Sequence, residues 1–190
     1  MDLDQDSVDF MAPEELNVVA EINRCRTNPA EYAETALREF LACYTNEFTY
    51  RSPHGVIRTK EGRQLVEATI EELKKAEPVP PLTPDSELTD AARFHCNDQG
   101  PDGLIGHDSS DGANSFERVR RFAPKHHMWC ENLAYGLCVA EAIVASLVVD
   151  DGVPSRGHRK NIMRKELRHI GVAIGGHSKY AFMCTIDFSD

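Results

Sequence analysis

The densest chemistry in the chain lies between Val149 and Ile162, where Asp150, Asp151, Arg156, His158 and Arg159 fall between two helix signals. Upstream, Glu141 to Val149 reads as a largely buried helix with Ala140, Val144, Leu147 and Val148 on one face. Gly152 and Pro154 are its expected stop. Asp150 and Asp151 then occupy its last turn, where the negative end of the helix dipole disfavours a carboxylate by about 0.3–1 kcal/mol. A positive group is therefore expected opposite them. Ser155 has the character of an N-cap, which puts Arg156, Gly157, His158 and Arg159 in the first turn of a second short helix facing back toward the acids. The result is a polar elbow around an imidazole. Its charges suit either a binding or catalytic role or a turn held by arginine–aspartate pairs.

The elements around this elbow add to the pattern. Cys130-Glu131-Asn132-Leu133-Ala134-Tyr135-Gly136 precedes it and His169-Ile170-Gly171-Val172-Ala173 follows it. Earlier in the chain stand Asn23 and Arg26, a helix carrying Leu88, Ala91 and Ala92, then Gly106-His107 and Ser115-Phe116-Glu117-Arg118. In this order, ending on Arg-Gly-His-Arg-Lys-Asn-Ile, the segments resemble the CAP superfamily of cysteine-rich secretory, antigen-five and pathogenesis-related proteins, from about Glu15 to Phe188.

The resemblance implies an α+β fold, an α-β-α sandwich whose small antiparallel sheet is covered by helices on both faces. It also implies a cleft with two histidines and two acids, which in several members binds zinc or another divalent cation. Matched position by position, these are His107, Glu131, Asp150 and His158, with Asp151 and Arg156 beside them. His107 and His158 are the implied metal ligands. Asp150 stands where glutamate is commoner, and Leu147 where tryptophan is often found. The shorter carboxylate reaches about 1.5 Å less, which separates ligating a metal from supporting a ligand; Asp151 is a candidate substitute. Two imidazoles make a modest site that would lose metal near about pH 6 as they protonate.

Composition narrows the partners. A chain of 190 residues with 21 basic and 31 acidic residues and a net charge of -10 argues against non-specific nucleic-acid binding. Arg118, Arg120 and Arg121 cluster, and helical spacing makes them a solvated face. No apolar run is long enough to span a bilayer. Residues 1–13 read as an acidic tail, with Asp2, Asp4, Asp6 and Asp9 and none of the apolar core of a signal peptide. Secretion is implied by the resemblance, and an intracellular place, cytoplasmic or in a cytoskeletal assembly, by that start. The six cysteines contain no Cys-x-x-Cys pair. Cys25, Cys96 and Cys184 read as small buried thiols and Cys130 as a thiol near the cleft without a group to activate it.

The remaining chain, 14–190, reads as one domain. A first helix runs from about Glu14 to Arg26 with Leu16, Val18, Val19 and Ile22 inward. Asn28-Pro29-Ala30-Glu31 has the form of a capping box opening a second helix toward Leu41. Residues 43–78 depart from the family pattern as an insertion: a loop, then a charged helix from about Lys60 to Glu77 with Leu65, Thr69, Ile70 and Leu73 on one stripe, either a surface helix or a partner-docking one. Pro78 to Pro84 is a stiff connector, and a helix from Pro84 to Asp98 buries His95. His126 and His127 border the cleft by sequence proximity alone. Strands are expected at about Asn132–Leu137, Ile170–Gly176 and Tyr180–Phe188. No His-Glu-x-x-His, Gly-x-Ser-x-Gly or Walker loop occurs, and Asp108 to Gly112 lacks EF-hand spacing. Three functions follow: a non-enzymatic module binding a protein partner or a lipid-like ligand, a structural component of an intracellular assembly, or a metal-dependent hydrolase with Glu131 as general base.

Overall fold

A computed structural model describes residues 8–53 and 55–190. Most of the acidic N-terminal run, including Asp2, Asp4 and Asp6, lies outside the described residues; Val8 and Met11 are already buried against the fold. The central sheet has the order β4-β6-β7-β5. Strands β5 (Trp129–Tyr135), β6 (His169–His177) and β7 (Ala181–Ser189) are antiparallel, and the two-residue β4 (Thr83–Pro84) adds a parallel edge to β6.

Alternation along these strands sends two sets of side chains to two helical layers. Ala134, Ile170, Val172, Cys184, Ile186 and Phe188 join the main core with Val18, Val19 and Ile22 of α1 (Pro13–Thr27) and Ile143, Val144 and Val148 of α7 (Ala140–Val149). Ala173 and Met183 face the other way, toward Ala92 and Cys96 of α5 (Ser86–Gln99). Next to α5 packs α6 (Ser115–Phe122), through Leu88, Ala91 and Val119. The helix α5 lies so close to the sheet that a Cβ on Gly171 would stand 2.2 Å from the Leu88 carbonyl carbon and 2.3 Å from Thr89 N, so no larger residue fits there. This is the α-β-α sandwich of the α+β class.

Two polar residues of the first helix, Asn23 and Arg26, act as ties. Asn23 exchanges two hydrogen bonds with the Leu82 backbone, at 2.7 and 2.8 Å. Arg26, fully buried, donates to the carbonyls of Pro80, Ile162, Arg164 and Leu167. They hold the proline-rich connector and the chain after the elbow against α1.

Several local expectations are corrected. The second helix is two, α2 (Pro29–Glu34) and α3 (Ala36–Ala42), broken at Thr35. Asn28 makes no side-chain cap; Glu31 turns instead to Arg24 at 3.0 Å and to Thr35. The loop expected after Cys43 is a three-stranded antiparallel sheet of β1 (Tyr44–Asn46), β2 (Thr49–Ser52) and β3 (Gly55–Arg58), stabilised where Phe40, Tyr44 and Tyr50 stack. The charged helix after it, α4 (Arg63–Leu73), buries Val66, Thr69, Ile70 and Leu73, so its apolar stripe belongs to the core.

Candidate functional site

The elbow is built differently from its sequence reading. Asp150 itself, with φ 61°, ends α7 in the left-handed conformation, a role in which aspartate costs less than most residues. Arg156, also left-handed at φ 52°, is the N-cap of α8 (Gly157–Ile162), displacing Ser155 from that role. This double reversal carries the Asp150 side chain away from the α7 carbonyls and onto the first N–H groups of α8. Its Oδ2 accepts from His158 N at 2.8 Å and Arg159 N at 3.4 Å, and its Oδ1 accepts from His158 Nδ1 at 2.6 Å. The positive partner expected opposite Asp150 is thus the start of a helix, supplemented by the imidazole.

The arginines do not pair with the aspartates. Arg156 forks onto Glu61, at 2.8 Å and 2.6 Å, and gives further bonds to the Asp150 and Val153 carbonyls. That guanidinium, followed by the Gly152 N–H, holds the Glu61 carboxyl down to about 2. Asp151 accepts from the backbone N–H groups of Lys60 and Glu61, both at 2.7 Å. Its carboxylate thus ties the 43–78 segment to the elbow, and it also lines the cavity beside His158. Glu61 gave no signal in the sequence because its partner lies 95 residues away.

The second histidine stands on a different foundation. His95 Nε2 and Gln99 Nε2 both reach the Gly106 carbonyl at 3.0 Å, Gln99 also bonds Asp108 O, and Tyr135 Oη accepts from Gly106 N. The loop so held presents His107, half exposed, with Nδ1 donating to Glu131 Oε1 at 2.7 Å. Glu131 is buried, and Arg118 Nη2 bonds its Oε2 while Arg118 Nη1 donates to His107 O and Ser109 Oγ. Arg118 is therefore no part of a solvated face: it is fully buried, whereas Arg120 and Arg121 are exposed. The signal that could have found it is its place one helical turn before the packed Phe122. Burial alone would raise the Glu131 carboxyl, but the His107 bond and Arg118 outweigh it and hold it low. Glu131 in turn raises the His107 imidazole.

Asp187 was also missed. It stands opposite Glu131 across β5 and β7, fully buried, with no hydrogen bond to either oxygen. Burial, then the Glu131 charge, pushes its carboxyl well above the ordinary carboxylate range.

The four implied residues thus form two imidazole–carboxylate pairs on adjoining elements. Asn132 Nδ2 donates to the His158 carbonyl at 3.1 Å, and Asn161 Nδ2 reaches Asn132 Oδ1 at 2.8 Å and Glu131 O at 3.3 Å, which stitches β5 to α8. A cavity of about 230 Å³ opens beside His158 and Asp150, walled by Tyr50, Ile57, Leu133 and Leu147; His107 and Glu131 do not line it. Each imidazole is held by a carboxylate at Nδ1, the orientation that offers Nε2 to a ligand. Among the described residues, no three His, Cys, Asp or Glu side chains gather into a metal-holding group.

The other candidates lie elsewhere. His126 bonds Ser189 Oγ at 2.8 Å and approaches Asp85, and the His127 N–H bonds Asp190 at the end of β7. Among the described residues no disulfide forms, and burial pushes Cys130 up to about 12, far from a reactive thiolate.

A model described as the cysteine-rich secretory protein family matches residues 20–188. The uncharacterised protein YkwD of Bacillus subtilis is 30% identical over 110 residues, 58% of this chain and 40% of that protein's length. An outer surface protein of Borrelia burgdorferi superposes with a TM-score of 0.51 at 17% identity, covering 67% of this chain and 86% of its own, a likeness of fold. An extracellular protein of Bacillus anthracis containing an SCP domain matches with a TM-score of 0.49 at 21% identity, over 67% of this chain and 37% of its own.

Proposed function

The chain belongs to the cysteine-rich secretory protein family, and from that premise we propose that it is a non-enzymatic binding module, with the elbow cavity as its recognition surface for a lipid-like ligand. One observation carries the reading: Glu131, the general base of the hydrolase alternative, is sealed. Its side chain is 1% exposed and its oxygens are held by His107 and Arg118. A carboxylate so neutralised and screened is a weak base with no path to a water molecule. What remains open is the cavity beside His158, whose walls are largely apolar and whose polar lining includes the imidazole, Asp150 and Asp151. That combination suits a molecule with an apolar body and a polar head.

The donor set fits a divalent cation only in its weakest form. Two imidazoles oriented by carboxylates can offer Nε2 to zinc, and among the described residues no third protein ligand joins them. In this reading His107 and His158 hold the cation, which would supply a positive charge for the polar head of a ligand.

The test uses the full chain in two arms at about pH 7.5. Zinc titrated by calorimetry is expected to bind weakly and saturably, with binding lost in both His107→Ala and His158→Ala; a folded native chain that takes no zinc would remove the metal from the reading. A fluorescent long-chain fatty acid is expected to bind equally to the native chain and Glu131→Gln. Ester or peptide hydrolysis that vanishes in Glu131→Gln would overturn the non-enzymatic reading.

A further inference from the structure

Behind the elbow, on the side of α8 bearing Arg156, Arg159 and Lys160, a second cavity of about 270 Å³ opens between that helix and α4. Its floor includes Leu73 and Met163, and its rim includes those three basic residues with Ser155. The charge here runs against the rest of the protein. Residues 156–168 hold six of the 21 lysines and arginines and a single acid, Glu166, in a chain of net charge -10.

Arg159 is the unusual member. It is 6% exposed, and its Nη1 is shut off from solvent without a hydrogen bond. The carboxylate paired with it, Glu72, stands 3.4 Å away with 66% of its own side chain exposed. A buried guanidinium normally has its donors satisfied, because leaving one unmade costs more than an ordinary hydrogen bond returns. Arg156 cannot help: it is committed to Glu61 and backbone carbonyls, and its charge adds to the repulsion. Glu72 is a poor substitute for a closer anion, because a solvated carboxylate at that distance gains little from the pair.

We propose that this cavity is a binding site for a phosphate-type oxyanion, which displaces Glu72 from Arg159 and is completed by Lys160 and the Ser155 hydroxyl. A planar guanidinium offers paired donors to such an oxyanion, and a flexible ammonium supplies the second charge. The apolar floor admits a short hydrocarbon substituent on the phosphate. The site lies on the opposite side of α8 from the cavity of the proposed function and stands independently of it.

Inorganic phosphate and hexyl phosphate, titrated into the full chain by calorimetry in a phosphate-free buffer, provide the test, with vesicles carrying phosphatidic acid as a third arm. Saturable binding of the free phosphates is expected. Glu72→Ala, a change at an exposed residue, should tighten it by about fivefold by removing the competing carboxylate, and Lys160→Ala should weaken it by a similar factor. Binding confined to vesicles, with the same response to both variants, would keep the site and assign a membrane headgroup as its source. A native chain and a Glu72→Ala variant that are folded by circular dichroism yet bind none of the three would overturn the proposal. So would binding that ignores both substitutions, since that is the behaviour of diffuse surface charge.

Discussion

The two imidazole–carboxylate pairs have the same first contact and opposite foundations. Glu131 is neutralised by a side chain, the fully buried Arg118, and its histidine hangs from a loop tied down by His95, Gln99 and Tyr135. Asp150 is neutralised by the backbone, through the opening N–H groups of α8, and its histidine is the second residue of that helix. One half keeps a desolvated ion pair beside a second buried acid, Asp187, whose carboxyl is pushed up by burial; the other uses a local turn of left-handed residues. A chain can thus orient two histidines identically by long-range charge pairing or by short-range backbone geometry. The first is costly to break, and the second is tolerant of changes that preserve shape.

The sharpest way to break this comparison is to remove the buried cation. Arg118→Met strands the Glu131 carboxylate beside Asp187 with no guanidinium, and a loss of about 3–5 kcal/mol in urea denaturation is expected. Adding Glu131→Gln to that variant should recover part of it, because the stranded charge goes too. A loss below about 1 kcal/mol would show that the two halves are alike after all. At the elbow, Asp150→Ala removes both the cap of α8 and the orienter of His158, and also places alanine at a positive φ. A cost of about 1–3 kcal/mol is expected. Asp150→Asn keeps the shape, one acceptor and tolerance of the left-handed turn, so its cost should be less than half as large. Equal costs for the two would mean that the Asp150 charge, and not its geometry, holds the elbow.

The same division explains what could be read from the sequence. Order and type of the large elements followed from local signals: apolar periodicity for α1, α5 and α7, and alternation for β6 and β7; the Asp85 cap that starts α5, accepting from Leu88 N, came only with the structure. The four implied site residues followed from motif order. What stayed hidden was set by partners distant in sequence. Arg118 looks like one of three surface arginines until Glu131 is brought to it. Arg156 looks like a partner for Asp150 until Glu61 arrives from 95 residues away. Asp151 gives no sign in the sequence of the Lys60 and Glu61 amides that it accepts from. The short strands of the 43–78 segment lack the length that makes alternation visible, and α7 ends at Asp150, ahead of Gly152, because aspartate also tolerates the left-handed conformation.

A smaller effect is expected where the insertion is fastened to the elbow. Glu61→Gln weakens a partly exposed fork with Arg156, and a loss of about 0.2–1 kcal/mol at neutral pH is expected. Because the folded Glu61 carboxyl is held down to about 2, its contribution is present above the ordinary carboxylate range and lost as pH falls toward that value. The Glu61→Gln difference should therefore shrink in acid. A difference that grows there would place the stabilisation elsewhere.

The least effect on stability, and the cleanest reading of the charge-paired half, comes from His107. Its bond to Glu131 raises the folded imidazole above its ordinary value, and the half-exposed ring leaves solvent to screen the gain. A raised histidine contributes stability that is full below the unfolded value of about 6.5 and fades as pH climbs through the folded one. Glu131 runs oppositely: held low, its share is present above the ordinary glutamate range and lost in acid. Proton NMR of the His107 ring should show a midpoint above that of an unstructured histidine, and Glu131→Gln should bring it down. If the midpoint is unmoved by that substitution, His107 is set by solvent alone, and the two halves differ in more than their foundations.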